Sequence, residues 1–279
     1  MRLAGWHVAR RAGVATLVSG VVTAGTLSLV MAANASPVSA ERGTRTVIGL
    51  QLRAMPAGRV LLFRDEGNNL SVQVTAFGFT PGSAHVVELV RGHRVITEFN
   101  RTLTANAAGQ AGGIDLSSTF GGAVPPGSRV VILDGTAGDP VSAEPIAQSS
   151  PAWPGEATYN LHAVEAGQGA PRGNAVLVYD PARQTISVTV TASGLTPGAH
   201  AAHIHLGSCQ NQGGVQYMLM DFTANRWGQI LDETRTVSGV TSPVPATGWY
   251  LNLHQGDSNT ILSNGQPTIA FRPLLCANI

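Results

Sequence analysis

Three histidines in the last third of the chain stand at spacings that suit a metal. His203 and His205 flank Ile204 within Pro197-Gly198-Ala199-His200-Ala201-Ala202-His203-Ile204-His205-Leu206. Read as a strand, this segment puts Ala202, Ile204 and Leu206 on one face and both histidines on the other, because strand side chains alternate. The apolar face belongs inside, so the two imidazoles project outward, one strand repeat apart. On a helix, residues two apart diverge and the pair would not converge. In Trp249-Tyr250-Leu251-Asn252-Leu253-His254 the apolar face is Trp249, Leu251 and Leu253, and His254 shares the opposite face with Tyr250 and Asn252. If the two strands are near neighbours, His203, His205 and His254 form a three-imidazole metal site outside the core. Imidazole suits copper and zinc, and copper heads the divalent affinity order without needing a carboxylate. One copper per chain is therefore expected. Two polar residues on a wet face would give the same His-x-His pattern; the third histidine, in matching orientation, is what favours a site.

The elements that must position these residues repeat along the chain. Val60-Leu61-Leu62-Phe63 and Leu70-Ser71-Val72-Gln73-Val74-Thr75-Ala76-Phe77-Gly78-Phe79-Thr80-Pro81-Gly82 are answered 116 residues later by Val176-Leu177-Val178-Tyr179 and Ile186-Ser187-Val188-Thr189-Val190-Thr191-Ala192-Ser193-Gly194-Leu195-Thr196-Pro197-Gly198. Thr104-Ala105-Asn106 and Thr223-Ala224-Asn225 match at an offset of 119. Two copies of one module are expected, at residues 43–147 and 156–279, joined by a proline-rich linker at 148–155. Alternating apolar and polar residues mark strands with one buried face, and the Thr-Pro-Gly corners mark turns. With 33 glycines, 16 prolines and no amphipathic helix after residue 40, the chain reads as all-β, each copy an antiparallel sandwich or barrel.

Composition narrows the chemistry. Only 12% of the 279 residues are charged, and the formal net charge is +1, so no basic surface for nucleic acid is expected. Every one of the 17 cationic residues is arginine, which excludes Schiff-base chemistry and phosphate-binding lysines. Arg2, His7, Arg10 and Arg11 precede a largely apolar run and a small-residue exit at Val38-Ser39-Ala40, the layout of a secretory signal over residues 1–40. The run is also long enough for an uncleaved membrane anchor. Export means an oxidising compartment, where the two cysteines, Cys209 and Cys276, are expected to pair.

Gly194-Leu195-Thr196-Pro197-Gly198-Ala199-His200-Ala201-Ala202-His203-Ile204-His205 resembles the copper-binding strand of copper/zinc superoxide dismutases and the similar strand of chordin-type (CHRD) domains. Leu251-Asn252-Leu253-His254 resembles the late dismutase strand that brings a further copper histidine, and Leu274-Leu275-Cys276-Ala277-Asn278-Ile279 resembles the terminal segment with the second half-cystine. The resemblance covers about residues 158–279. It implies a Greek-key β-barrel of superoxide dismutase type, with copper outside the barrel on His203, His205 and His254. It implies His200 as a residue orienting the site and Arg272 as a guide for the superoxide anion, although Arg272 is one residue further from the last cysteine than the family spacing. Asp257, two residues before Asn259 and shortly after His254, is a candidate acceptor for a ligand histidine.

The departures are specific. Between Ser208 and Gly228 there is no histidine, and Asp221 is the one acid, so the zinc site and its bridging histidine are absent and no zinc is expected. In the first copy, Val87 and Leu89 fall where His203 and His205 stand, and Asp134 falls at the place of His254. That copy is expected to be metal-free, with Val87 and Leu89 on an apolar face that docks the second copy, a protein partner or another copy of the chain. Two functions compete: a secreted copper protein that dismutates superoxide, and a non-catalytic CHRD-like module for binding, adhesion or copper sequestration.

Overall fold

The computed structural model describes residues 44–140, 144–153, 157–164 and 170–279; the basic and apolar start read as an export signal lies outside the described residues. In chain order the strands are β1 (Thr46–Ala54), β2 (Ala57–Arg64), β3 (Leu70–Phe77), β4 (Ala84–Arg91), β5 (Arg94–Glu98), β6 (Leu103–Thr104), β7 (Gln110–Ser117), β8 (Arg129–Thr136), β9 (Asp139–Pro140), β10 (Ala147–Ser149), β11 (Thr158–Ala163), β12 (Arg172–Asp180), β13 (Thr185–Ser193), β14 (Gly198–Ser208), β15 (Asn211–Ala224), β16 (Ile230–Ser238), β17 (Trp249–His254), β18 (Leu262–Ser263), β19 (Gln266–Pro267) and β20 (Pro273–Asn278). Among the described residues, the helical content is one 3₁₀ turn, Ile269–Phe271. The fold is all-β.

Two large antiparallel sheets result. One runs β5-β4-β8-β10-β11-β2-β3-β7, and the other β15-β14-β17-β20-β1-β12-β13-β16. Both curl toward closure. In the second sheet the edge strands β15 and β16 are bridged by Arg235 Nε donating to the Asp221 carbonyl at 2.8 Å and by the Thr223 amide donating to Glu233 at 2.7 Å. In the first, the Asn100 amide after β5 donates to the Ser117 carbonyl of β7 at 2.8 Å. Each sheet encloses its own core: Val72, Val74, Val87, Leu89 and Ile132 in one, Val188, Val190, Ile204, Leu251 and Leu253 in the other.

The first strand of each repeat lies in the sheet of the other. β1 pairs with β12 and β20, while β11 pairs with β2 and β10. Leu50 and Leu52 of β1 therefore enter the core with His203's strand, and Tyr159 and Leu161 of β11 enter the opposite core. Only Met55 and Pro56 separate β1 from β2, so the chain passes between sheets in two residues. The expected linker at 148–155 begins inside β10, because Gln148 pairs with Val131 and His162.

A fixed repeat offset misplaces two faces. Val87 and Leu89 are not an exposed apolar face; both are fully buried in the first core. Ser83 is an extra residue after the Thr-Pro-Gly corner, so His85 corresponds to His200, and Glu88 and Val90 take the places of His203 and His205. The pairing register agrees: Val87 faces Ile132 as Ala202 faces Leu253, which makes Leu133, not Asp134, the counterpart of His254. A one-residue slip turns every side chain of a strand to the other face. The same slip separates β2 from β12, where Val60 and Leu62 correspond to Ala175 and Leu177.

The strand exchange predicts a measurable outcome. A protease site inserted after Trp153 and cleaved should leave two fragments that co-elute in native buffer and separate only in denaturant. The disulfide lies wholly in the C-terminal fragment, so it cannot hold them together. Separate native peaks would contradict the pairing of β1 and β11.

Candidate metal centre

β14 and β17 are direct neighbours, paired from Ala202–Leu253 to Leu206–Trp249. Their inward residues fill the second core, and the alternate residues, His203, His205, Tyr250, Asn252 and His254, stand on the outer face. One ligand nitrogen from each of His203, His205 and His254 falls within 4.8 Å of the others. Ring centroids lie 5.0 Å apart for His203 and His254, 5.4 Å for His203 and His205, and 5.9 Å for His205 and His254.

The outer face is not open to water. His203 and His205 are each 3% exposed and His254 is 0% exposed. Three covers close it. The segment after β17 lays Phe271 against His254, with ring centroids 4.5 Å apart. The start of β15 folds over His205, bringing the Gly213 carbonyl to its ring. Beyond it, Met55 and Phe77 pack on Tyr250 and on the Cys209–Cys276 disulfide. Gln212 anchors this cover by donating from Nε2 to the Phe79 carbonyl at 3.0 Å.

Each ring is oriented by the backbone. His205 Nδ1 donates to the Gly213 carbonyl at 3.0 Å, and His254 Nδ1 donates to the Phe271 carbonyl at 2.6 Å. A Cβ at Gly213 would sit 2.5 Å from the Leu206 carbonyl, so glycine is what lets this carbonyl approach. These bonds leave the Nε2 lone pairs of His205 and His254 for a ligand role. The Nε2 of His205 is buried and has no hydrogen-bond partner. The Nε2 of His254 lies 3.1 Å from His203 Nδ1. Two nitrogens bound to one ion at about 2.0–2.1 Å in tetrahedral geometry are separated by roughly 3.3 Å, close to that contact. The donor set and its orphaned lone pair fit a borderline transition metal.

Burial also keeps the rings neutral. It pushes the pKa of His254 down to about 3, helped by neighbouring His203 and opposed by the Phe271 carbonyl. The pKa of His203 falls to about 4 through burial and His205, with Asp221 acting in the opposite sense. His205 is lowered by burial against the Gly213 carbonyl. Neutral imidazole is the form that binds a metal. Asp221 also fastens the cover, accepting the Ser258 amide at 3.1 Å.

The remaining candidates take other positions. His200 is buried, its Nδ1 2.8 Å from the His254 carbonyl and its Nε2 2.8 Å from the Thr196 carbonyl, so it holds the backbone of a ligand histidine rather than its ring. Arg272 is 4% exposed, and its Nε donates to Gln255 Oε1 at 3.1 Å. The carboxylate of Asp257 is engaged within its own loop by Thr260 and Asn259, which hold its pKa down. The ring N–H groups of His205 and His254 meet backbone carbonyls instead. Those two carbonyls left no mark in the sequence. Asn252 and Tyr250 did, through their shared face with His254; Tyr250 stacks on His205 at 4.9 Å and 18°.

One further constellation has catalytic residue types. His85 lies 3.1 Å from Asp134 through Nδ1 and 2.7 Å from Ser83 Oγ through Nε2. Ser83 Oγ also lies 2.7 Å from the Thr80 carbonyl, which can only accept. Ser83 thus links His85 to the Thr80 carbonyl within a buried cluster, His85 being 1% exposed. Like His200, His85 ties down the Thr-Pro-Gly corner.

Residues 160–261 match the CHRD domain family. The match spans His203, His205 and His254 together with His200 and Cys209, and ends before Arg272 and Cys276. No curated protein matches the chain.

The lowered pKa values set a pH dependence. A histidine with a folded pKa below its unfolded value of 6.5 binds fewer protons when folded. Its contribution is complete above that value and is lost as pH falls toward about 4 for His203 and about 3 for His254. The melting temperature of metal-free protein should therefore drop as buffers move from neutral to acid, and His254→Gln should flatten the slope. Equal slopes for the two proteins would refute the assignment.

Proposed function

We propose that this chain is an exported CHRD-type protein whose second repeat sequesters one copper ion on His203, His205 and His254 without turnover. The observation that carries the reading is the convergence of three buried, neutral imidazoles within 4.8 Å, two of them oriented by backbone carbonyls. Copper is favoured over zinc because it heads the affinity order for a nitrogen site and no carboxylate joins the histidines. The enclosed site supports retention of an ion over rapid exchange of substrate. The disulfide and the basic, apolar start of the chain support export. The repeat pattern supports two tandem modules of dismutase-like barrel type, the first of which supplies no ligand and covers the second through Met55 and Phe77.

Superoxide dismutation, the activity implied by the resemblance to copper/zinc dismutases, is the less supported reading. A guide for an anion should face the approach, whereas Arg272 is buried and tied to Gln255.

Copper titration of the purified chain, followed by electron paramagnetic resonance and metal analysis, should reach one copper per chain with nitrogen hyperfine structure. His203→Ala should weaken binding by more than the roughly 10–100-fold typical of losing an outer partner of a ligand. Copper-loaded protein should consume superoxide no faster than its metal-free form. Failure to bind copper would overturn the proposal, and rapid consumption would put dismutation in its place.

A further inference from the structure

The site's floor holds an amide that the protein leaves unanswered. Asn252 is 0% exposed, and neither its Nδ2 nor its Oδ1 has a hydrogen-bond partner. It stands on the outer face of β17 between Tyr250 and His254, directly opposite His203 on β14 and opposite Cys276 on β20. Residues directly opposite in an antiparallel pair have Cβ atoms about 4.5–5.5 Å apart, so the amide lies beside the imidazoles. A buried amide without partners is costly, and a packed core would put an apolar residue there.

The neighbouring His205 Nε2 is also buried and unpaired. Three histidines leave a four-coordinate ion one position for a ligand that is not protein. We propose that Asn252 forms a binding subsite for that ligand, a water or a small anion, held by hydrogen bonding to the amide at the ion's open position. This rests on the copper reading of the three histidines. It assigns Asn252 a task that the ligand histidines do not perform: its Nδ2 donates to a lone pair of the exogenous group, and its Oδ1 accepts the proton of a bound water. An anion lacking a proton would use the donor alone.

The test uses the full chain loaded with copper(II), and azide as the probe. Azide should shift the electron paramagnetic resonance spectrum and give a charge-transfer band. In Asn252→Leu, of similar volume, copper should still bind at one per chain, while azide affinity should fall about tenfold, the effect of one lost hydrogen bond to a charged group. The metal-free Asn252→Leu protein should melt at or above the wild-type temperature, because it removes two unpaired polar atoms. Asn252→Ser, which keeps a donor in a smaller side chain, should show intermediate azide affinity. Equal azide affinity in wild type and Asn252→Leu would overturn the subsite, as would a clear loss of metal-free stability, which would show that the amide has partners within the protein. Failure of the wild-type chain to bind copper would instead strike the metal reading itself, so the two failures are distinguishable.

Discussion

Keeping three imidazoles uncharged and close together in a nearly dry space is the constraint around which the second sheet is arranged. Neighbouring cationic rings would repel, and burial alone would not aim their lone pairs inward. The protein solves both problems with backbone. Gly213 and Phe271 carbonyls take the Nδ1 protons of His205 and His254, and His200 pins the strand that carries His254. Each tie leaves a lone pair directed at the shared space. The cover buries the rings and so lowers their pKa values, which keeps them in the metal-binding form.

That cover is assembled from distant parts of the chain. The hairpin β14–β15 supplies Gly213, the segment before β20 supplies Phe271, the β1–β2 connection supplies Met55, and β3 of the other sheet supplies Phe77. The Cys209–Cys276 disulfide joins the end of β14 to β20 beside Tyr250, within the same cluster. The exchange of β1 and β11 between sheets makes the first repeat inseparable from this arrangement, since β1 lies between β20 and β12 of the sheet that carries the histidines. At the positions that correspond to His203, His205 and His254 the first repeat carries Glu88, Val90 and Leu133.

Residues 160–261 match the CHRD domain family, and within that stretch the tertiary structure gathers three histidines that could hold a metal. The rings are covered, Arg272 is turned to Gln255, and Asp257 spends its carboxylate on its own loop. A single amide, Asn252, remains without a protein partner beside the histidines.

Period-two alternation was enough to place His203, His205 and His254 on faces opposite the core, because side-chain direction in a strand follows residue parity. It also pointed to the all-β fold, while the Thr-Pro-Gly corners marked the turns and an export-type start with two cysteines pointed to their pairing. Parity cannot say what lies beyond an outward face. The expected exposure of the histidines therefore gave way to burial, because the cover comes from residues far along the chain. Parity also fails silently across a single inserted residue: Ser83 turned Val87 and Leu89 from a supposed docking face into core. Strand exchange left no local trace, since β1 and β11 carry similar alternating patterns and either core accepts them. The sequence by itself determined which residues could bind a metal; only the tertiary structure decided that they meet, because strand pairing and cover are contacts between segments that the chain order does not place together.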